Sequence, residues 1–198
     1  MTKTIKTLAL LLLLTSFTSC DFLKALKLSE KEGLDNAKEI VTSQFPDKDF
    51  TSVRLSTKDA LSEEFDMVYV TYFDNTVNNI VTQNFIKSVG KVSDPDASSI
   101  KREKGKTFKA SEINWDTTLA KATEALATIN KEMGKEYTNF RLVEVQFKAE
   151  KESLVTSYIV SMTKIGEATT RQGRMINTNY YEVQATVNAD GTMSFEEY

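Results

Sequence analysis

Cys20 is the one cysteine in 198 residues, and the chain has no histidine. A lone thiol builds neither an internal disulfide framework nor a multi-thiolate metal site. Without imidazole the commonest general base and the commonest zinc ligand are missing. The sequence contains no GxSxG, no phosphate-binding loop, no HExxH and no GxGxxG, and no SxxK sits at the start of an expected helix. Carboxylates and charge remain. Glu63-Glu64 falls between two expected strands and Glu196-Glu197 beside the C-terminus. Such a pair hydrolyses glycosides only across an enclosed cleft; elsewhere it is solvated charge. No catalytic, cofactor-binding or metal-ligating residue is assigned, and the chain reads as non-enzymatic.

The first twenty residues have a different composition from the rest. Lys3 and Lys6 precede the apolar run Leu8 to Leu14, which is too short to span a bilayer. Small and polar residues then lead to Cys20. That order makes a secretory signal over residues 1–19. Phe17-Thr18-Ser19-Cys20 resembles the lipobox of bacterial lipoproteins, with Phe17 where the family usually has leucine. The resemblance implies cleavage before Cys20, a diacylglyceryl thioether on its sulfur and acylation, typically by palmitate, of its amine. Two or three chains at about 0.8 kcal/mol per buried methylene hold a protein stably at a membrane. An ordinary cleaved signal with a leftover thiol is the alternative.

Asp21 resembles the inner-membrane retention signal of enterobacterial lipoproteins. The Lys, Asn, Thr and Phe usage is closer to lipoproteins of the Bacteroidota, where surface export goes with an acidic cluster after the cysteine. Here Asp21 is followed by Phe22, Leu23 and Lys24. The resemblance therefore implies an outer-membrane lipoprotein facing the periplasm.

Loss of residues 1–19 removes only Lys3 and Lys6, taking the formal net charge from −3 to −5. Such a balance gives no basis for binding nucleic acid. Against it, Lys87 to Lys109 stands out. Lys87, Lys91, Lys101, Arg102, Lys104, Lys106 and Lys109 face only Asp94, Asp96 and Glu103. This stretch reads either as a linker kept soluble by its lysines or as a mobile basic arm. The arm would meet an anionic partner, such as lipid phosphates, a teichoic-like polymer or an acidic protein, through Lys101, Arg102, Lys104 and Lys106.

The elements that must carry these residues follow from periodicity. Residues 20–28 form a lipidated tether. Ser29-x-x-Glu32 is a capping-box pattern before a helix with Leu34, Ala37, Val41 and Phe45 on one face, stopped by Pro46. Gly33 costs that helix about 1 kcal/mol. Strands are expected at Phe50–Leu55, Phe65–Phe73 and Val77–Val89, completing a first lobe over 29–90. A polar basic linker fills 91–113. The second lobe, 114–198, opens on a helix capped by Asn114 or Asp116 and ended by Gly134. Trp115 reads as a staple at its entry. Strands are expected at Tyr137–Ala149, Leu154–Ile165 and Met175–Asn188, with Val143, Val145 and Phe147 inward. Asp190-Gly191 then turns into a last strand.

Phe50-Thr-Ser-Val-Arg-Leu55 aligns with Tyr137-Thr-Asn-Phe-Arg-Leu142, each just after a helix. The fold class is therefore α+β, as tandem α-β-β-β repeats with helices packed on antiparallel sheet. Ala37–Leu55, AKEIVTSQFPDKDFTSVRL, resembles PepSY-like repeats, and the arrangement resembles cystatin-like and β-lactamase-inhibitor-like modules of secreted bacterial proteins. The resemblance implies architecture, not activity. Tyr69, Tyr72, Phe73, Tyr158, Tyr180 and Tyr181 divide between core pairing and a Tyr-rich face that grips a partner; an exposed cluster at Tyr69 or Tyr180 would mark the latter. The expected role is a macromolecular-binding envelope module, membrane-bound through its lipid and with a protein partner. The alternative is an inhibitor or immunity lipoprotein directed at a toxin or cell-wall enzyme. No nucleic acid, cofactor or small-molecule substrate is implied.

Overall fold

Apolar residues three and four apart give Lys31–Gln44 a single buried stripe, Leu34, Ala37, Ile40 and Val41, and this is helix α1. In the computed structural model, which describes residues 25–150, 153–172, 175–188 and 190–197, the N-cap of α1 is Glu30. The expected Ser29 capping box does not form, and no side chain caps this end. The reason lies just upstream. The Glu30 amide donates to the Lys27 carbonyl at 3.0 Å, turning the chain one residue later than the motif requires.

That turn also explains Gly33. A β-carbon at this position would lie 1.9 Å from the Lys27 carbonyl oxygen. Glycine's propensity cost is thus the condition for the chain to cross the helix in contact with it. Leu28 is fully buried in the core, and the Phe65 amide donates to Leu26 at 2.8 Å. Among the described residues, Leu26–Leu28 already belong to the folded body, ahead of the expected Ser29. Helix α2, Trp115–Met133, follows the sequence closely. Asn114 accepts from the Thr117 amide at 3.0 Å, and Gly134 caps the far end. Trp115 packs edge-on against Phe147 with ring centroids 5.5 Å apart, which fixes the helix entry as a staple would.

The strands are β1 (Phe50–Thr57), β2 (Phe65–Asp74), β3 (Asn79–Ile86), β4 (Lys91–Val92), β5 (Asp96–Ala97), β6 (Tyr137–Ala149), β7 (Leu154–Lys164), β8 (Thr170–Gln172), β9 (Met175–Asn177), β10 (Tyr181–Val187) and β11 (Met193–Glu197). Nine form one antiparallel sheet in the order β11-β10-β7-β6-β1-β2-β3-β4, with β5 also on β3. The fold is α+β, two helices packed on one antiparallel sheet. β1 and β6 pair directly, Val53 opposite Phe147 and Leu55 opposite Val145, so a single sheet passes through both halves of the chain. Read outward from that seam, the strands follow sequence order on both sides, β1-β2-β3-β4 and β6-β7-β10-β11. Arg54 and Arg141 share one face, while Leu55 and Leu142 are buried on the other.

Three expectations about strands change. The third strand is shorter than Val77–Val89 because Asn78 (φ +48°) and Gly90 (φ +68°) turn the chain at its ends. Met175–Asn188 is divided: β9 pairs with β8 in a separate ribbon, and β10 begins only at Tyr181. Asn179, a poor strand former, instead donates from its side-chain Nδ2 to Glu167 Oε1 at 2.7 Å. In β6 a bulge lies between Leu142 and Glu144. It places Leu142 in the main core, and Val143 is buried on the opposite side.

Residues 98–108 form a strap. From the β3 edge the chain passes to Phe108, whose amide and carbonyl pair with Phe50 at 2.8 and 2.9 Å. A short 3₁₀ turn, Ala110–Glu112, then leads into α2.

Candidate binding face

Strand alternation sends Val53, Leu55, Val68, Val70, Val145, Phe147, Tyr158 and Val160 under the two helices. The residues between them, Ser52, Arg54, Thr71, Tyr69, Glu144, Gln146, Glu182 and Gln184, share the opposite face. No helix covers that face among the described residues. Its two ends are framed. At one, the β1–β2 connection folds over, and the Ser161 hydroxyl donates to the Ala60 carbonyl. At the other lies the strap.

Between these frames Arg54 stands at the centre. Its guanidinium carbon lies 4.4 Å from the Tyr69 ring centroid, and its Nε lies 3.8 Å from Glu144 Oε2. Burial holds the Glu144 carboxyl above the ordinary carboxylate range; the Arg54 charge pulls it back and the Glu182 charge pushes it further up. Burial likewise raises Glu182. Both acids line a hollow of about 180 Å³ with Ser56, Asp59 and Ile159. The hollow is shallow and open, so these carboxyls do not face one another across an enclosed cleft of the glycosidase kind.

The acid pairs noted in the sequence lie elsewhere. Glu63 is held by Lys27 at 2.8 Å, and Glu196 and Glu197 fall on the edge strand β11. Among the described residues no group of three or more metal-ligating side chains comes together.

The strap brings the basic residues together only in part. Lys101, Arg102, Lys104 and Lys106 are all exposed. Lys104 is committed to Asp49 at 2.8 Å, and Lys109 reaches the same carboxylate at 2.7 Å and the Asp47 carbonyl at 2.9 Å. Hydrogen bonds from Lys104 and Lys109 hold the Asp49 carboxyl below its usual range. The Arg102 amide donates to Asn79 Oδ1 at 3.1 Å, and Asn79 donates to Ser98 at 2.8 Å. The strap is thus fastened at both ends. The charged ends of Lys101, Arg102 and Lys106 make no ion pair among the described residues. Cys20, Asp21 and the whole signal segment lie outside the described residues.

Of the aromatic residues singled out by sequence, Tyr72 and Tyr158 are core, the latter donating to the Thr118 carbonyl at 3.2 Å. Phe73 is buried beneath the strap, with Lys104 Nζ 5.8 Å from its ring. Tyr181 packs edge-on to Tyr137 with Tyr180 exposed beside it. Tyr69 alone joins a charged cluster on the uncovered face. Sequence reading passed over Arg54, Glu144 and Glu182. The available signal was their place at the outward positions of strands whose inward positions are uniformly apolar.

No protein-family model matches the chain, and no curated protein matches it. Among solved structures, the chain is similar to a Clostridium difficile 630 protein described as a putative lipoprotein, at 15% identity. The match covers 87% of this chain and 99% of that one, with a TM-score of 0.41. Likeness at that level assigns neither fold nor function. The fold stated above rests on this chain's own strand pairing.

Proposed function

We propose that the protein is a lipid-anchored envelope lipoprotein that binds another macromolecule through the uncovered face of its sheet and carries out no catalysis. The observation that carries this reading is the asymmetry of the sheet. Two helices close one face, while the other carries a half-buried arginine–tyrosine–glutamate cluster between two frames. Tyrosine and arginine supply contact area and charge at modest entropic cost, which suits recognition.

Anchoring is supported by the lipobox-like Phe17-Thr18-Ser19-Cys20 and by the place of Leu26–Leu28 in the folded body. Six residues from Cys20 to Leu26 reach at most about 20 Å. Lipid would therefore hold this end of the sheet close to the bilayer. No helix among the described residues is long and apolar enough to cross a membrane. Signal cleavage before Cys20, periplasmic exposure on an outer membrane, and a Bacteroidota-like origin complete the reading. We also read the two α-β-β-β units as tandem repeats of the PepSY-like or inhibitor-like kind, on the matched segments at Phe50 and Tyr137 and the mirrored strand order.

The test is site-specific photocrosslinking in intact cells, combined with mass spectrometry of the mature N-terminus. A photoreactive residue at Gln184 should give a discrete adduct, and one at Glu124 on the outer side of α2 should not. A diacylated Cys20 should be found at the N-terminus, and Cys20→Ser should leave the protein unprocessed. Adducts of equal yield from both positions, or from neither, would remove the binding face. A secreted toxin or hydrolase in the Gln184 adduct would replace the accessory role with the inhibitor role.

A further inference from the structure

The strap does not lie flat on the sheet. Between its fastenings at Asn79 and Phe50 the chain stands off and leaves an open groove of about 390 Å³. Arg102, Glu103, Gly105 and Lys106 roof it, and Ser52, Thr71, Gln146 and Lys148 are in its floor. Arg102, Lys106 and Lys148 against Glu103 leave the lining with an excess of two positive charges. Lys148 is shared with Glu150 at 3.0 Å, whereas Arg102 and Lys106 have no ion pair among the described residues. The hydroxyls of Ser52 and Thr71 and the carboxamide of Gln146 also make no hydrogen bond among the described residues. Guanidinium, ammonium and neutral donors thus converge on one space with their capacity unused. Arg favours planar, bidentate recognition of an oxyanion, and hydroxyl and amide donors complete its coordination.

From this we infer that the groove beneath the strap binds a phosphate monoester. A monoester carries a charge of about −1.5 to −2 at neutral pH, which meets both cations of the lining that have no ion pair among the described residues, Arg102 and Lys106; a single carboxylate would leave one of them unbalanced. The location bears on the source. The chain enters the body beside Phe65 at the start of β2, while Asn79 and the strap lie at its other end. Ten strand residues separate the two by about 30 Å. The groove opens at the end remote from the lipid-bearing terminus, which favours a ligand presented from the aqueous side. This deepens the proposed function and rests on it, because Ser52, Thr71 and Gln146 belong to the same sheet face and the orientation follows from the proposed anchor; monoester binding is read separately from Gln184 crosslinking and Cys20 acylation, so the two can fail separately.

The experiment uses the full chain in detergent micelles with glycerol 2-phosphate as probe, followed by phosphorus NMR line-broadening and calorimetry. Saturable binding is expected, weakened at least tenfold in Arg102→Gln/Lys106→Gln and tightened about two- to threefold in Glu103→Gln. Lys131→Gln removes one exposed charge from α2, outside the lining, and should bind as wild type. Acetate at equal concentration should not compete. Binding lost equally in Lys131→Gln, unchanged in the double variant, or displaced by acetate would overturn the assignment. Attachment to vesicles containing phosphatidic acid without binding of the soluble monoester would also overturn it. All four substituted positions are exposed, and near-ultraviolet circular dichroism verifies that each variant is folded.

Discussion

The two faces of the sheet come from the same strands and have opposite energetics. On the helix side, Val53, Val145, Phe147 and Tyr158 lie against α1 and α2 with almost no water contact. On the other side, alternate residues of those strands carry Arg54, Glu144, Gln146 and Glu182, half-exposed and partly charged. Each strand therefore contributes apolar burial through one row and polar and charged groups through the next. Two carboxylates make the contrast sharper. Asp49 is stabilised in its ionised form by two lysines that fasten the strap, whereas Glu144 ionises against its surroundings. Strap charge favours the folded state, and face charge opposes it.

The contrast breaks most directly at Phe147 and its neighbour Gln146. Phe147→Ala should cost about 3–5 kcal/mol by urea denaturation, and Gln146→Ala under about 0.5 kcal/mol. Comparable losses at the two positions would mean the faces are not energetically distinct. Next in size is Gly33→Ala. Helix propensity alone would make it stabilising by about 1 kcal/mol. The 1.9 Å approach to Lys27 should reverse the sign and give a loss of about 1–3 kcal/mol. A stabilised variant would show that residues 26–28 do not pack on α1.

The carboxylates sharpen the comparison through pH. Glu144 has a raised folded value, so its stabilising contribution is present below the unfolded value and lost as pH rises through the folded one. Glu144→Gln should therefore raise stability at pH 7, by less than the Gly33→Ala loss, with the gain vanishing in acid. An Arg54→Ala background should enlarge that gain, because the compensating cation is gone. Asp49 is the mirror case. Its lowered value makes its contribution present above the unfolded value and lost as pH falls through the folded one. Asp49→Asn should cost about 0.2–1 kcal/mol at pH 7, the range of exposed pairs, and nothing once wild-type Asp49 is protonated. Denaturation midpoints of both variants across pH 3 to 8 test the pair together, and parallel profiles would abolish the distinction.

Local signals were legible where local physics decides. The stripe Leu34–Ala37–Val41, the Asn114 cap and the dense β-branched run at Phe65–Phe73 each appear where the sequence places them. The misplaced first cap was not legible, because Ser29 against Glu30 is settled by the carbonyl of Lys27 and not by the motif. The bulge at Val143 was hidden for a related reason: alternation reads cleanly through Val143, Val145 and Phe147, and only pairing with β7 inserts the extra residue. Half of the candidate site was in view. The basic strap shows in charge composition and Tyr69 in its aromatic strand, but Arg54 and Glu144 lie some ninety residues apart and meet only because β1 pairs with β6.

The amino-acid order by itself determined the class of elements, their boundaries to within a few residues, and the chemistry excluded by one cysteine and no histidine, since these depend on neighbours along the chain. Tertiary structure alone decided that β1 joins β6, that no helix among the described residues covers the second face, and that the basic strap roofs a groove instead of trailing free. Those outcomes depend on contacts across some ninety residues, such as Val53 with Phe147, and local periodicity carries no information about which distant strand will become a partner.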